Sequence, residues 1–176
     1  AVWLDVPAAV KGSHSRQGTS WIRSAEAKAI ASQLKEWMES EHGKDLSYGV
    51  ISFYKAQADL IRNQFNKQFD TSKLKIGTVD SFQGMEFDVV FLSMVRTMPR
   101  NIKAITKEDK EKTARRLFGH LCLYNRLNVS MSRQKKLLVV VGDHELLNND
   151  LAKEFIPGLV DFYKKCKKEG VVLTCK

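Results

Sequence analysis

The sequence predicts an α/β domain with a mostly parallel β-sheet and helices on both of its faces. Residues 87–95 and 137–141 are nearly all apolar and rich in β-branched side chains, which is typical of strands buried on both faces. Between such runs stand segments whose apolar residues recur every three to four positions, as on one face of a helix. This alternation of strand and helix is typical of a parallel sheet that is covered on both sides.

Strand-like and helix-like segments follow one another along most of the chain. Short apolar runs predict strands at residues 2–6, 50–53, 74–79, 87–95, 137–141 and 171–173. Apolar residues at helical spacing predict helices at residues 25–38, 56–69, 121–131 and 151–169, the last interrupted near Pro157. Because ligands bind at the carboxyl ends of parallel strands, we expect the functional site in the loops after Phe53, Thr78 and Val141.

Two polar stretches fall outside this pattern. Residues 8–23 are rich in Gly, Ser and Arg and predict a loop, in which Trp21 is the aromatic residue of greatest interest for binding. Residues 99–116 are dense in Lys and Arg and predict a solvated loop or an exposed helix. An insertion that faces nucleic acid is the more specific alternative for this stretch.

Length, charge and cysteine content narrow the class of protein. The 176 residues are the size of one domain, and the 29 Lys and Arg residues exceed the 20 Asp and Glu residues. The resulting net charge of +9 favours a polyanionic partner. The three cysteines form no CxxC pair, which favours a reducing, intracellular compartment, cytoplasmic if the source is bacterial. No run of residues is apolar enough to predict a membrane span, and we expect a monomer without a membrane partner.

Residues 77–88, which read GTVDSFQGMEFD, combine phosphate-binding and hydroxyl-binding groups in one turn. Thr78, Ser81 and free backbone amides in such a turn can hold a phosphate oxygen. Gly84 would allow the backbone to approach a ligand closely, and Glu86 can accept hydrogen bonds from ribose hydroxyls. A plain strand–turn–strand connection with Asp80 as a capping residue is the alternative.

Residues 125–136, which read NRLNVSMSRQKK, precede the second long apolar strand. Arg126 and Arg133 are seven residues apart, so they share one face of a helix. We expect Arg133 to lie at the ligand-binding edge of the sheet, where its planar guanidinium would suit a phosphate group. The alternative is an ordinary surface helix with salt bridges.

These two segments, in this order, resemble motifs V and VI of superfamily 1 helicases, and most of all those of the senataxin-like branch. That branch reads approximately G-T-V-D-x-F-Q-G-x-E-x-D, then a strand, then R-L-N-V-A-x-S-R-A-K and a buried strand. The match is dense over residues 76–96 and 124–143. Residues 51–57 resemble motif IV, and the approach to Glu26 resembles the N-x-x-E-A start of a helix in the same family.

The resemblance implies a RecA-like domain of the P-loop NTPase type, and specifically the second motor domain of an ATP-dependent helicase. Such enzymes bind ATP between two RecA-like domains, and single-stranded DNA or RNA crosses both. The phosphate-binding motif G-x-x-x-x-G-K-[ST] and the magnesium-binding acidic motif do not occur in this sequence. ATP and Mg²⁺ would therefore be held mainly by a first RecA-like domain, and residues 1–176 alone would be inactive.

The resemblance also assigns roles at the nucleotide. Arg133 matches the motif VI arginine finger, which would stabilise charge on the γ-phosphoryl group as the catalytic contribution of this domain. Arg126 would support the same helix or the domain interface. Glu86 would lie near the ribose, and Gln83 and Gly84 would lie at the cleft.

A second set of residues is implied at the nucleic acid. Thr78, Asp80 and Ser81 of motif V would face its sugar–phosphate backbone. Tyr54 and Gln57 match motif IV and would lie at the domain surface.

Two other functions remain open on the sequence. A stand-alone basic nucleic-acid-binding module would also explain the charge of +9. A metal-dependent nuclease would use the acidic group Asp80, Glu86 and Asp88, although no Lys follows Glu86 at the spacing that nucleases usually show.

Overall fold

The computed structural model describes residues 1–65, 69–99 and 109–175. The main-sheet strands are β1 (Val2–Asp5), β4 (Tyr48–Ser52), β5 (Leu74–Thr78), β6 (Phe87–Ser93), β7 (Gln134–Gly142) and β8 (Val171–Thr174). They form one six-stranded sheet in the order β5-β4-β6-β7-β1-β8, with every pairing parallel. A separate antiparallel hairpin pairs β2 (Ser15–Gln17) with β3 (Ser20–Ile22).

Helices cover both faces of the sheet. The described helices are α1 (Ala8–Lys11), α2 (Ser24–Glu39), α3 (Lys55–Arg62), α4 (Lys110–Phe118), α5 (Tyr124–Ser130), α6 (Asp150–Phe155) and α7 (Pro157–Glu169). Buried side chains of α2 and α3 pack on one face of the sheet, and those of α4 to α7 pack on the other. This confirms the predicted α/β architecture, which is that of a RecA-like domain. None of the helices in the described ranges is long and apolar enough to cross a membrane.

The central strands β6 and β7 explain why the two long runs are almost entirely apolar. Along β6, Val90 and Leu92 enter the core beneath α4 to α7, whereas Val89 and Phe91 enter the core beneath α2 and α3. Successive side chains of a strand point to opposite faces, so a strand covered on both sides needs apolar residues at every position. The predicted parallel strands are confirmed, with ends shifted by one to three residues.

The polar stretches contain more structure than the sequence predicts. Residues 8–23 hold α1 and the β2–β3 hairpin rather than a loop, because polar residues can pair in a hairpin without a buried apolar face. Helix α4 begins within the stretch 99–116 and continues beyond it to Phe118. It buries Ala114 inside the stretch and Leu117 and Phe118 just after it, so it is not an exposed helix throughout. Residues 100–108 of that stretch lie outside the described residues.

Two predicted helices are shorter than expected. The helix predicted at 56–69 ends at Arg62, although residues 66–68 lie outside the described part of the chain. The helix predicted at 121–131 is a 3₁₀ turn at Gly119–Cys122 followed by α5. The predicted break at Pro157 is confirmed, since α6 ends at Phe155 and α7 begins at the proline.

A buried carboxylate, that of Glu26 on α2, joins several elements at the carboxyl ends of the strands. Glu26 is fully buried and pairs with the equally buried Arg23 at 3.5 Å. Its Oε1 accepts a hydrogen bond from the hydroxyl of Ser93 at 2.6 Å, and both carboxylate oxygens accept the backbone N–H of Val95. Burial raises the pKa of Glu26, and the positive charge of Arg23 opposes that rise.

A half-buried imidazole, that of His14, lies between the hairpin and the end of β6. The backbone N–H of Thr97 donates to Nδ1 of His14 at 3.1 Å, so this nitrogen carries no proton. The pKa of His14 is lowered to about 4, mainly by burial and in addition by the guanidinium groups of Arg96 and Arg23.

We expect Glu26→Ala to lower the free energy of unfolding by about 3–5 kcal/mol, because it leaves the buried charge of Arg23 without its counter-charge. Urea unfolding followed by circular dichroism measures this change. Glu39→Ala, at an exposed position of the same helix, is the control and should change stability by less than about 0.5 kcal/mol. Equal stabilities for the two variants would contradict the structural role of Glu26.

We also expect acid to destabilise the fold through His14. Its pKa is lower in the folded chain than the ordinary value of about 6.5, so stability falls as the pH drops from about 6.5 towards 4. Allowing for solvent screening, His14 should contribute a loss of about 1 kcal/mol between pH 7 and pH 5. His14→Gln keeps an acceptor for Thr97 and does not titrate. Urea unfolding at both pH values should give this variant a smaller loss than the wild type, and equal losses would disprove the prediction.

Candidate functional site

The segment between β5 and β6 crosses the sheet from one edge to the other. β5 ends at Thr78, at the edge where the strands have their carboxyl ends, and β6 starts at Phe87, at the opposite amino edge. A 3₁₀ turn at Val79–Phe82 starts this crossing, and β4 lies between the two strands that it joins. We call residues 79–86 the crossing segment.

The crossing segment passes close to the sheet because two strand residues are glycines. A Cβ atom on Gly49 of β4 would lie 2.9 Å from the ring of Phe82, which is fully buried. A Cβ on Gly77 of β5 would lie 2.3 Å from the hydroxyl oxygen of Ser81, and that hydroxyl donates to the backbone oxygen of Thr78 at 2.7 Å. Gly49 is not among the residues predicted above to be functional, and the signal for it is a glycine inside an otherwise apolar strand.

The exposed side of the crossing segment presents the polar residues that the sequence selects. Ser81, Gln83, Gly84 and Glu86 are all exposed. Gly84 has φ of +74°, a conformation that favours glycine over residues with a Cβ. Within the described ranges, the side chain of Gln83 forms no hydrogen bond and that of Glu86 forms no ion pair, so their polar groups are available at the surface.

Arg133 lies at the amino edge of the sheet, next to Glu86. The backbone oxygen of Arg133 accepts a hydrogen bond from the N–H of Phe87 at 3.0 Å, which fixes the start of β7 beside the start of β6. The guanidinium donates to the backbone oxygen of Val129 at 3.0 Å and to the hydroxyl of Ser132 at 3.1 Å. No carboxylate in the described part of the chain pairs with it.

The expectation that Arg133 lies at the same edge as the loop after Thr78 is therefore wrong. Helix α5 leads into the amino end of β7, so a residue at this junction is at the amino edge. Thr78 is at the carboxyl edge. The strand length of β6 separates the two edges by about 20 Å, and the crossing segment connects them.

Arg126 pairs with Asp80 and joins α5 to the crossing segment. Their side chains are 36% and 66% exposed, so the pair is open to solvent. They line a small cleft of about 220 Å³ together with Val79, Gln83, Asn125 and Val129. A surface ion pair of this kind contributes little stability, about 0–1 kcal/mol. Asp80 has a charged partner in this structure instead of the capping role that the sequence left open.

Tyr54 and Gln57 are not surface residues, which corrects the interpretation of motif IV as a nucleic-acid contact. Gln57 is fully buried, and its amide bonds to the backbone N and O of Arg23 and to the hydroxyl of Ser93. Tyr54 is 4% exposed, its ring stacks on His120 at 5.0 Å, and its hydroxyl oxygen accepts the N–H of His120. Both side chains hold the carboxyl edge together.

The acidic cluster proposed for a nuclease is not formed. Asp80 pairs with Arg126, whereas Asp88 accepts hydrogen bonds from the backbone and hydroxyl of Ser47 and pairs with Lys136. The bonds from Ser47 lower the pKa of Asp88 to about 2. Asp80, Glu86 and Asp88 do not form a group that could hold a metal ion.

A large basic cleft opens at the carboxyl edge, and we call it the basic cleft. Its volume is about 840 Å³, and its lining includes Trp21, Lys55, Arg96, Arg115 and Arg116. None of the described residues that line it is acidic. Of these lining residues, only Trp21 is singled out from the sequence alone. The signal for Arg115 and Arg116 of α4 is the excess of Lys and Arg in residues 99–116.

Arg96 builds the inner wall of this cleft. It is 6% exposed, and its guanidinium donates to the backbone oxygens of Leu117 (2.9 Å) and Arg116 at the end of α4. Carbonyl oxygens at a helix C-terminus carry partial negative charge, so they suit a cation. The same guanidinium lies 4.7 Å from the ring centre of Trp21, and Arg16 lies 5.4 Å from it.

Comparison with known proteins identifies the family to which the chain belongs. Residues 1–145 match a family model described as an AAA domain (AAA_12). The chain is 34% identical over 119 residues to the DNA polymerase alpha-associated DNA helicase A of Saccharomyces cerevisiae, covering 68% of this chain and 15% of that protein. It is 32% identical over 145 residues to human RNA helicase Mov10l1, covering 80% of this chain and 11% of that protein.

Human probable helicase senataxin is 30% identical over 170 residues, which are 93% of this chain and 6% of that protein. The chain therefore spans 6 to 15% of the length of these three relatives. On the family match, these identities and the parallel sheet, the chain belongs to this AAA domain family and, within it, to the senataxin-like superfamily 1 helicases.

Proposed function

We propose that residues 1–176 are the second RecA-like motor domain of an ATP-dependent helicase that acts on single-stranded DNA or RNA. The observation that carries this proposal is the position of Arg133 at the amino edge of the sheet, where its backbone oxygen bonds to Phe87, the residue that follows Glu86. Arg133 has a guanidinium without a carboxylate partner among the described residues, and Glu86 has an exposed carboxylate at the start of β6. Both belong to the motifs that relate the chain to its family.

The donor groups at the amino edge fit a nucleotide. A guanidinium fits the charge of a triphosphate, and a single carboxylate fits ribose hydroxyls better than it fits Mg²⁺, which prefers several oxygen ligands. We therefore assign Mg²⁺ and most of the ATP contacts to a first RecA-like domain. ATP, when bound there, would supply the γ-phosphoryl group that is transferred to water.

The role of this chain in hydrolysis would be electrostatic. Arg133 would turn from the backbone oxygen of Val129 to the developing negative charge on the γ-phosphoryl oxygens. Glu86 would hold the ribose, and Gln83 and Gly84 would lie against the nucleotide on the exposed side of the crossing segment. Arg126 would keep α5 against that segment through Asp80.

Single-stranded nucleic acid would bind at the opposite, carboxyl edge. Thr78 and Ser81 lie where the crossing segment leaves β5, and the basic cleft lies beside the end of β4. Its cationic side chains suit the phosphate backbone, which DNA and RNA share. The relatives include a protein named as a DNA helicase and one named as an RNA helicase, so we propose either strand as the substrate.

The crossing segment would couple the two edges. Closure of the ATP-binding cleft between the two motor domains would act on Glu86, at one end of the crossing segment. Thr78 borders the other end of the segment. Alternation between closed and open clefts would then change the grip on the strand and produce stepping.

A stand-alone nucleic-acid-binding module is the second candidate, and the basic cleft is the observation that favours it. Such a module would need the cleft but would have no use for Arg133. The two functions therefore differ in what substitution of Arg133 does.

In the full-length helicase, we expect Arg133→Ala to lower the kcat of strand-stimulated ATP hydrolysis by at least about 10³-fold, because a transition-state charge contact is lost. Binding of a fluorescent ATP analogue should change less than about tenfold. Lys168→Ala, which removes one exposed positive charge on α7, is the control and should leave both unchanged. Turnover in Arg133→Ala within threefold of the wild type would contradict the motor function and leave the binding module.

We expect Arg116→Ala to weaken binding of single-stranded oligonucleotides to the chain with little dependence on their sequence. Loss of one phosphate contact should reduce the slope of log affinity against log salt by about 1. Fluorescence anisotropy titrations at NaCl concentrations from about 50 to about 300 mM measure this slope. Lys168→Ala should keep the wild-type slope. An unchanged slope in Arg116→Ala would exclude this part of the basic cleft from the binding site.

A further inference from the structure

A buried cluster of two carboxylates and an imidazole lies at the carboxyl ends of β1 and β7. Asp5 is the last residue of β1, and Asp143 and His144 directly follow β7. Asp5 is 4% exposed, Asp143 is fully buried, and the side chain of His144 is 32% exposed. One donor atom from each residue lies within 4.8 Å of the other two. Asp143 is the last residue of the segment that resembles motif VI, whereas Asp5 and His144 lie outside the matched segments.

The aspartate Asp143 is not satisfied by the protein. Among the described residues, its Oδ2 accepts only a long hydrogen bond of 3.4 Å, from the N–H of Met98. Its Oδ1 is buried and has no hydrogen-bond partner among the described residues. A buried carboxylate oxygen without a partner is costly, and such groups in native proteins point to an ion or a water molecule at the site.

The imidazole of His144 is oriented as a metal ligand would be. Its Nε2 lies 3.3 Å from Oε1 of Glu145, and its Nδ1 lies 2.9 Å from Oδ2 of Asp5. Metal-ligating histidines commonly use one ring nitrogen for the metal and direct the other to a carboxylate. Here Nε2 lies near the Glu145 carboxylate, and Nδ1 faces Asp5. The ring also stacks on Tyr163 at 5.7 Å, which restricts its rotation.

We propose that Asp5, Asp143 and His144 bind one divalent transition-metal ion. Two carboxylate oxygens and one imidazole nitrogen are a donor set that Mn²⁺ and Zn²⁺ accept, whereas Mg²⁺ and Ca²⁺ prefer oxygen alone. On binding, the proton between His144 and Asp5 leaves to solvent, and the ion occupies its place while Oδ1 of Asp143 gains a partner. The ion then connects the ends of two adjacent strands, and this site does not depend on the proposed helicase function.

The site lies at the carboxyl ends of the strands, whereas Arg133 lies at their amino ends. β7 runs from Gln134, beside Arg133, to Gly142, beside Asp143, and this length is about 26 Å for a strand. A metal bound at the carboxyl edge is therefore remote from the amino edge. Its expected effect is to stabilise the fold and not to take part in hydrolysis.

Isothermal titration of the metal-free chain, prepared with EDTA, with MnCl2 and with ZnCl2 tests the proposal. We expect one saturable site for at least one of these ions and an affinity for MgCl2 that is at least about tenfold lower. Asp143→Asn and His144→Gln should each lower the transition-metal affinity by at least about tenfold. Asp150→Asn removes the same charge at a 96% exposed position and should bind as the wild type does.

Two further measurements keep the result decisive. Circular dichroism in EDTA should show that Asp143→Asn is folded, because its amide replaces a buried unpaired oxygen. If Asp143→Asn does not fold, the His144→Gln variant, at a 32% exposed side chain, provides the test instead. Cys175 lies beside the cluster, because its backbone N–H bonds to the backbone oxygen of Asp5. Its thiol is not one of the proposed ligands, so Cys175→Ser should keep the site. Three results would each overturn the proposal. The first is the absence of saturable binding to the wild type, and the second is wild-type metal affinity in folded Asp143→Asn and His144→Gln. The third is loss of binding in Cys175→Ser.

Discussion

The carboxyl edge of the sheet depends on one buried ion pair, that of Glu26 with Arg23. The Glu26 carboxylate holds the backbone N–H of Val95, which has φ of +67°. This conformation is strained for a β-branched residue and costs about 1–3 kcal/mol, so it persists only because the surrounding contacts fix it. The turn at Val95 directs the next residue, Arg96, towards the hairpin and the end of α4. The basic cleft therefore owes its inner wall to a carboxylate that is itself fully buried.

The amino edge is built in a different way, from backbone pairing and close approach. The bond between Phe87 and Arg133 aligns two adjacent strands, and the loop residues before each strand come together without any ion pair between them. The glycines Gly49 and Gly77 let the crossing segment lie on the sheet. The guanidinium of Arg133 at this edge bonds to a backbone oxygen and a hydroxyl and to no carboxylate among the described residues. In the proposed function, the rigid strands would hold this charge near its place before the ligand arrives.

The sequence predicts the sheet well and the burial of individual polar residues poorly. Strands β6 and β7 were predictable because a strand covered on both faces must be apolar throughout. The residues Tyr54 and Gln57 were misplaced because a motif shows which residue types recur and not which face they occupy. Arg133 was assigned to the wrong edge for a related reason. The rule that ligands bind at carboxyl ends was applied to a residue that stands before its strand.

Two contacts of different strength hold the crossing segment, and the weaker one can open while the stronger one keeps the segment in place. Burial of Phe82 beneath the segment contributes about 1.5–3 kcal/mol. The exposed pair of Asp80 with Arg126 contributes about 0–1 kcal/mol. Phe82 is therefore the attachment of the segment to the core, and the ion pair can open at little cost. Opening of the pair frees the Arg126 guanidinium on α5 and the Asp80 carboxylate on the turn without moving Phe82. Each group could then bind a ligand in place of the other, while the strands on either side keep their register.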